Sequence, residues 1–273
     1  MLTEFKLIKQ FSLSIILSSV FIHSALCNNL ISKGDLQLLK EKSFTISKGN
    51  KLLVDLSSGD VKVTYWDKEE VNVKIFCNEN AKGKMSFSME KTDEMVKVTG
   101  KRKSSFSSWF SNMNVEVEIK VPAQFNLDIS TAGGDIKCGG ITGKAELNSS
   151  GGDIWADKFS GIINVSTSGG NIFLFCRDAQ IDAETSGGDV TLEYEGENKG
   201  IELSTSGGDI EVKVPKEFTA SMELSTSGGD VSCSLNMSNV KKSSGSRLVG
   251  DLNGGGQKLS AHTSGGDITV SER

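Results

Sequence analysis

The chain has 273 residues, of which 30 are glycine and 2 are proline, and 37% of its residues are hydrophobic. Its 30 basic and 35 acidic residues give a formal net charge of −5, so it lacks the basic surface that nucleic-acid binding requires. Abundant glycine with few large apolar residues is typical of a many-stranded or repeat β protein and argues against an α/β enzyme.

The first 27 residues differ in character from the rest. Two lysines precede the 12-residue apolar run FSLSIILSSVFI, and the small residues of HSALC follow it. This order predicts a signal peptide, residues 1–27, and an exported protein that is periplasmic, on the cell surface or secreted. The run is shorter than the ~20 apolar residues of a relaxed membrane span, so we expect no transmembrane span in the mature chain. Lipid attachment at Cys27, despite the leucine before it, and an uncleaved anchor are the alternatives.

Alternating apolar and polar residues dominate the next part of the chain. After a linker or N-terminal segment at residues 28–42, residues 43–121 contain stretches such as LLVDLSSGDVKVTYW and NVEVEIKVP. Period-two alternation indicates β-strands, and we expect this region to cap the repeats that follow. Within it, SSGDVKV at residues 57–63 looks like an early, isolated copy of the repeat motif.

One stretch of this region breaks the alternation. In KRKSSFSSWFSNM, residues 101–113, three basic residues precede Phe106, Trp109 and Phe110. The stretch lies between two predicted strands, so we interpret it as a hairpin tip. If the rings are exposed beside basic charge, they would bind a glycan, an envelope surface or a protein surface. The alternative is that they fold back as a hydrophobic cap.

Residues 122–273 repeat the sequence Thr-Ser-Gly-Gly-Asp. The residues that follow the paired glycines are Asp135, Asp153, Asn171, Asp189, Asp209, Asp230 and Asp267. Their spacings are 18, 18, 18, 20, 21 and 37, and we interpret LNGGGQKL at residues 252–259 as a degenerate copy within the longest one. A constant short period is typical of stacked units that cannot bury their apolar faces alone.

Each unit reads as strand, turn and strand. IINVSTS before the glycines and NIFLFC after them both alternate with period two, and glycine separates them. We therefore predict an all-β, β-solenoid-like stack with coils of about 18–21 residues and two strands per coil. Each residue then lies about 4.8 Å from its equivalent in the next coil.

Each residue type of the motif has a predicted role at the corner between the two strands. The glycines are expected to provide positive φ where a Cβ would clash. The aspartate is expected to accept hydrogen bonds from N–H groups of its own corner. The threonines are expected to point inward and to satisfy one another's hydroxyl groups. They are Thr131, Thr167, Thr185, Thr205, Thr226 and Thr263.

The row of acidic corner residues is a weak candidate for calcium. Its members are Asp135, Asp153, Asp189, Asp209, Asp230 and Asp267. Stacked carboxylates repel one another, and a cation would relieve that repulsion. However, Ca²⁺ takes six to eight oxygen ligands, the motif lacks the Gly-Gly-x-Gly-x-Asp of calcium rolls, and Asn171 interrupts the charge. We favour a turn role and expect no metal and no other cofactor.

The cysteines and histidines suggest no catalytic site. The alternation places Cys77, Cys138, Cys176 and Cys233 inward, which favours buried free thiols over the disulfides that export would allow. The second of the two histidines, His262, falls on the polar face of a repeat strand. No catalytic triad or histidine-rich metal site can be assembled from them.

The whole pattern resembles a bacterial family of adhesin-like β-strand-repeat proteins built on a domain of unknown function. The resemblance covers about residues 44–270 and is carried by SSGDVKV, VPAQFNLDISTAGGDIKCGGITGKAELNSSGGDI, the TSGGDI series and GDLNGGGQKLSAHTSGGDITV. It implies an extracytoplasmic β-solenoid-like fold and brings no catalytic motif.

These observations favour an exported, noncatalytic β-repeat protein that acts as a surface or periplasmic binding protein or scaffold. A glycan-active β-helical enzyme is one alternative. An accessory protein of envelope stress or signalling is another.

Overall fold

The computed structural model describes residues 32–33, 35–103 and 113–273, and within them the chain forms twenty-two strands and one short helix. The predicted signal peptide lies outside the described residues. So do Phe106, Trp109 and Phe110.

The N-terminal elements precede the regular repeats. They are β1 (Ser32–Lys33), β2 (Leu36–Thr45), β3 (Lys51–Leu56), β4 (Asp60–Trp66), β5 (Glu70–Cys77), α1 (Glu79–Lys84), β6 (Met85–Lys91), β7 (Met95–Arg102) and β8 (Val115–Pro122). The helix begins where the Asn78 side chain accepts a hydrogen bond from the Ala81 N–H, as an N-cap does.

The remaining strands follow the repeat. They are β9 (Asn126–Thr131), β10 (Ile136–Gly139), β11 (Thr142–Ser149), β12 (Ile154–Thr167), β13 (Ile172–Thr185), β14 (Val190–Glu195), β15 (Ile201–Thr205), β16 (Ile210–Val214), β17 (Ala220–Thr226), β18 (Val231–Cys233), β19 (Met237–Ser244), β20 (Arg247–Leu252), β21 (Lys258–Thr263) and β22 (Ile268–Glu272).

Each coil contributes one strand to each of two facing parallel stacks. Sheet one contains β7, β3, β9, β11, β15, β21 and β17, and sheet two contains β8, β4, β10, β14, β16, β22 and β18. The 14-residue strands β12 and β13 serve both, because each bends midway from sheet two into sheet one.

Register within the stack follows the repeat. Ile136 pairs with Ile154 and Ile154 pairs with Ile172, so equivalent residues of successive coils lie side by side. The predicted solenoid-like stack with two strands per coil is confirmed.

At both ends of the stack, the order of coils in space differs from their order in the chain. The coil β3–β4 lies between β7–β8 and β9–β10, although β7 and β8 come later in sequence. At the other end, β21–β22 lies between β15–β16 and β17–β18.

This reordering corrects two interpretations made from the sequence. SSGDVKV is not isolated, because Val61 of β4 pairs directly with Ile136 of β10. LNGGGQKL is not a coil of the stack. It spans the end of β20, the following turn and the start of β21, and the spacing of 37 includes the antiparallel hairpin of β19 and β20.

Antiparallel strands cover the stack ends. At one end, β6 pairs with β7 and β5 pairs with β8, and β2 pairs with β5 in turn. At the other end, β20 pairs with β17 and β19 pairs with β20. Such strands shield the edges of β7, β8 and β17, which would otherwise offer unpaired N–H and C=O groups to other chains.

The core is a thin apolar layer between the two sheets. Inward residues of sheet two, such as Ile154 and Ile172, face inward residues of sheet one, such as Ile163 and Ile181, and all four are almost completely buried. The corner threonines close one side of this layer and are also buried. Burial of apolar surface contributes about 25 cal/mol per Å² to stability. Because a coil can bury its apolar surface only with its neighbours, the stability of each coil depends on the coils beside it.

Close approach between coils explains the second glycine of each pair. A Cβ on Gly188 would lie 2.1 Å from the carbonyl oxygen of Gly170 in the preceding corner, and Gly170 stands in the same relation to Gly152. Gly134 and its later equivalents have no positive φ, so the expectation of positive φ is wrong for these pairs. The glycine is needed because backbone packs on backbone.

The two glycines of one pair give a matched test of this explanation. We expect Gly188→Ala to lower the free energy of unfolding by about 1–3 kcal/mol or more, because the methyl group overlaps backbone that cannot move alone. For Gly187→Ala the nearest atom is 3.6 Å away, and we expect a change within about 0.5 kcal/mol. Denaturant unfolding of both variants measures the difference. Equal destabilisation would contradict the close-approach explanation.

Candidate binding face

The acidic corner residues form a continuous hydrogen-bonded row along the stack. The Asp189 side chain accepts a hydrogen bond from the backbone N–H of Asp209 in the next coil, with a donor–acceptor distance of 2.8 Å. Asn171 accepts in the same way from Asp189. The row runs through Asp60, Asp135, Asp153, Asn171, Asp189, Asp209, Asp267 and Asp230. These side chains therefore join successive corners, and the expectation that each bonds within its own corner is wrong.

The corner threonines also connect neighbouring coils. The Thr185 hydroxyl donates to the Gly170 carbonyl oxygen at 2.9 Å and accepts from the Gly188 N–H at 3.3 Å. Ser149 makes the same pair of bonds at the equivalent position. The expectation that the hydroxyls satisfy one another is therefore wrong, because each bonds to glycine backbone.

Metal ligands are not grouped at the corners. Among residues 32–33, 35–103 and 113–273 there is no group of three or more His, Cys, Asp or Glu side chains placed to hold a metal ion. In the acidic row, one side-chain oxygen of each of seven members already accepts a backbone N–H. A turn role for these residues stays our prediction.

Replacement of one acidic residue separates a turn role from a calcium role. We expect Asp189→Asn to change the free energy of unfolding by less than about 0.5 kcal/mol, since the amide oxygen still accepts the Asp209 N–H. Asp189→Ala removes that acceptor and is expected to cost about 0.5–1.5 kcal/mol. Thermal melts with and without calcium complete the test. A calcium-dependent rise in melting temperature that Asp189→Asn abolishes would contradict the turn role.

Aromatic side chains lie in a strip on the outer face of sheet two. Trp155 of β12 and Phe173 of β13 are partners in register, and their rings stack with centroids 5.3 Å apart and planes 11° from parallel. Phe175 lies two residues further along β13, on the same outward side. We call Trp155, Phe173 and Phe175 the aromatic strip.

Basic side chains hold both ends of the strip. The Lys137 ammonium lies 4.1 Å from the Trp155 ring centroid, and the Arg273 guanidinium lies 5.0 Å from that of Phe175. Cation–π contacts of this kind contribute about 0.5–1 kcal/mol at exposed sites. These contacts hold the Trp155 and Phe175 rings on the outer face of sheet two.

A shallow depression of about 470 Å³ adjoins the strip. Its floor is at Gly139, the outward residue at the end of β10, and its sides include Lys62, Thr64, Trp155 and Asp157. A smaller hollow of about 220 Å³ runs along the strip itself, from Trp155 to Glu193. We call the first feature the Gly139 depression.

The opposite outer face has a different character. On sheet one, the outward residues of the same coils are polar or charged, as at Asn164, Asp182 and Glu202. The largest exposed apolar side chain there is Ile162, which is 42% exposed. Within the described residues, the aromatic strip thus distinguishes the outer face of sheet two from that of sheet one.

The sequence of the chain matches a family model, Toastrack DUF4097, at residues 49–160 and again at residues 126–271. Together the two matches span well over half of the chain. The chain belongs to the Toastrack family. No curated protein matches it.

Solved structures similar to this Toastrack chain share little sequence with it. A protein from Clostridium sporogenes named "putative cell adhesion protein" is 15% identical, with 86% of this chain and 99% of that chain covered and a TM-score of 0.38. A "putative adhesin" from Bacteroides fragilis is 11% identical, with 89% and 98% covered and a TM-score of 0.37. A "putative lipid binding protein" from Parabacteroides distasonis is 15% identical, with 88% and 98% covered and a TM-score of 0.42.

In the part of the chain that the structure describes, no helix is both long enough and apolar enough to cross a membrane.

The site residues predicted from sequence and the aromatic strip are different sets. Phe106, Trp109 and Phe110 lie outside the described residues, so a binding role for them stays a prediction. The strip was missed, although its signal is present: residues 155 and 173 are 18 apart, and NIFLFC alternates so that both phenylalanines face outward.

The four described cysteines of the Toastrack chain are free thiols. Cys77, Cys138 and Cys176 are buried as predicted, whereas Cys233 is only half-buried at the end of the stack. Burial raises the pKa of the Cys138 thiol to about 12, with the Asp157 carboxylate adding to the shift. Because the thiolate is the nucleophile, the buried thiols are inert and act as small apolar residues.

The raised pKa of Cys138 predicts a specific pH dependence. Below the ordinary thiol value of 9.0, Cys138 is protonated in both the folded and the unfolded chain. Between pH 9.0 and about 12 the unfolded chain loses this proton first, so the thiol's contribution to stability decreases as pH rises. Relative to wild type, Cys138→Val should therefore gain stability only above about pH 9. Urea unfolding of both proteins across this range measures the gain. A constant difference at all pH values would contradict it.

Proposed function

We propose that this Toastrack protein is an exported, noncatalytic binding or scaffold protein of the cell envelope, and that it binds through the outer face of sheet two. The observation that carries the proposal is the aromatic strip of Trp155, Phe173 and Phe175, held by two cation–π contacts on the outer face of sheet two. Export rests on the predicted signal peptide at residues 1–27.

The stack makes a rigid support for such a face. Every strand that carries the strip is paired on both sides in register, and the corner row ties each coil to the next. Binding to a preformed surface loses little conformational entropy, because the side chains are already ordered. Aromatic residues are enriched in protein-binding surfaces of this kind.

The surroundings of the carboxylates on this face support a noncatalytic role. Asp157 is exposed, and Glu193 lies 3.5 Å from Arg273 in an ion pair. A glycosidase general acid requires a carboxyl group whose surroundings keep it protonated near neutral pH, usually an apolar pocket. An open depression on a flat sheet does not provide that environment.

Sedimentation with envelope fragments tests the proposed face. Replacing Trp155, Phe173 and Phe175 by threonine removes the strip while keeping residues that suit a strand, as Thr191 does in the next coil. We expect wild type to pellet with envelope fragments of its own cells, and the triple variant to bind at least about tenfold more weakly.

The matched control replaces outward residues of sheet one in the same coils, Ile162→Thr with Asp182→Ala and Glu184→Ala. This variant should sediment like wild type. Equal sedimentation of the strip variant and wild type would overturn the proposed face, and accumulation of the protein in the cytoplasmic fraction would overturn export.

A further inference from the structure

We infer that the Gly139 depression is a subsite for an acidic saccharide. The inference rests on the proposed function, since it names the ligand class of the same face. It starts from a glycine that the fold does not require.

Gly139 has no backbone reason to be glycine. Its φ is not in the left-handed region, and a Cβ added there would meet its nearest atom, the Asp157 carbonyl oxygen, at 3.7 Å, an ordinary van der Waals contact. The next residue, Gly140, is different: its φ is +71°, and a Cβ would lie 2.1 Å from the Tyr65 ring. Gly139 is the last residue of β10, and an alanine would also fit there. The structural effect of Gly139 is the open depression itself.

The groups around Gly139 match the chemistry of a sugar. Trp155 offers an apolar aromatic edge, the Thr64 hydroxyl both donates and accepts, and the Asp157 carboxylate accepts hydrogen bonds from hydroxyl groups. The ammonium groups of Lys62 and Lys137 add hydrogen-bond donors to the lining. A ring with one apolar face and several hydroxyl groups uses all of these contacts.

Charge favours an acidic ligand over a neutral one. Lys62 and Lys137 line the depression with the Asp157 carboxylate, and Lys137 also lies 3.8 Å from the Asp135 carboxylate beside it. A neighbouring hollow of about 230 Å³ shares Lys62 and adds Lys74 and Lys120 with Glu118, and Lys74 pairs with Glu41 at 3.5 Å. Ion pairs between partly exposed side chains are weak, so the carboxylates of an acidic glycan can compete for these ammonium groups.

The dimensions favour a chain of sugars. From Lys62 through Lys137 and Trp155 to Phe173 the outward residues occupy four successive coils in register. Three intervals of about 4.8 Å give a length of about 14 Å, more than a single sugar ring needs. The rings of Trp155 and Phe173 are stacked on each other, so no acyl chain can lie between them.

The test uses an array of uronic-acid and sialic-acid oligosaccharides beside neutral ones, followed by isothermal titration with the tightest acidic member. Gly139→Val fills the depression with a residue that suits a strand, and it should weaken binding at least about tenfold without lowering the melting temperature. The control Thr269→Val makes a similar change on an outward residue of β22, further along the same sheet, and it should bind like wild type. Lys62→Gln with Lys137→Gln should reduce both the affinity and its dependence on salt.

Each other outcome counts against the inference. It is overturned if no acidic oligosaccharide binds, if Gly139→Val binds like wild type, or if vesicles of anionic phospholipid bind in place of saccharides. When the strip variant loses envelope binding while Gly139→Val retains it, the proposed function stands and the saccharide subsite fails. When neither variant changes envelope binding, both fail.

Discussion

Backbone contact between successive corners is the constraint on which the structure depends. The second glycine of each motif lies so close to the corner before it that no side chain fits, with Gly188 and Gly170 as the central example. On the side of the stack where the corners lie, this contact holds two successive coils at the separation of paired strands. The threonine hydroxyl and the acidic side chain then bond across the same gap. Three residue types of one motif thus act on one interface, which explains why they recur together.

Much of this fold follows from the sequence, because the interactions are periodic. An 18-residue spacing and period-two alternation are sufficient to place Ile136, Ile154 and Ile172 side by side, and they do pair. Hydrogen-bond partners could not be predicted in the same way. A threonine that points inward has several acceptors within reach, and only the position of the neighbouring corner shows that a glycine carbonyl oxygen accepts its hydrogen bond.

The sequence pattern also does not predict the order in which the end coils stack in space. Nothing in the repeat distinguishes a strand that adds to the end of the stack from one that inserts before the last coil, since both have the same alternation and the same corner. The aromatic strip is a different case, because spacing and alternation already place Trp155 beside Phe173. The stretch from Phe106 to Phe110 stands out in the sequence because it interrupts the pattern, whereas the strip continues the pattern and does not stand out.

The inserted coil at the C-terminal end has a consequence for biosynthesis. Strands β17 and β18 leave the ribosome before β21 and β22, yet they pair with β21 and β22 in the finished stack. Until those last strands arrive, β15 and β16 have an open parallel edge, and β17 cannot take its place without the strand that separates it from β15. Long-range parallel pairing is slow, and unpaired edges promote aggregation. The stack at this end can therefore close only after β21 and β22 have been made.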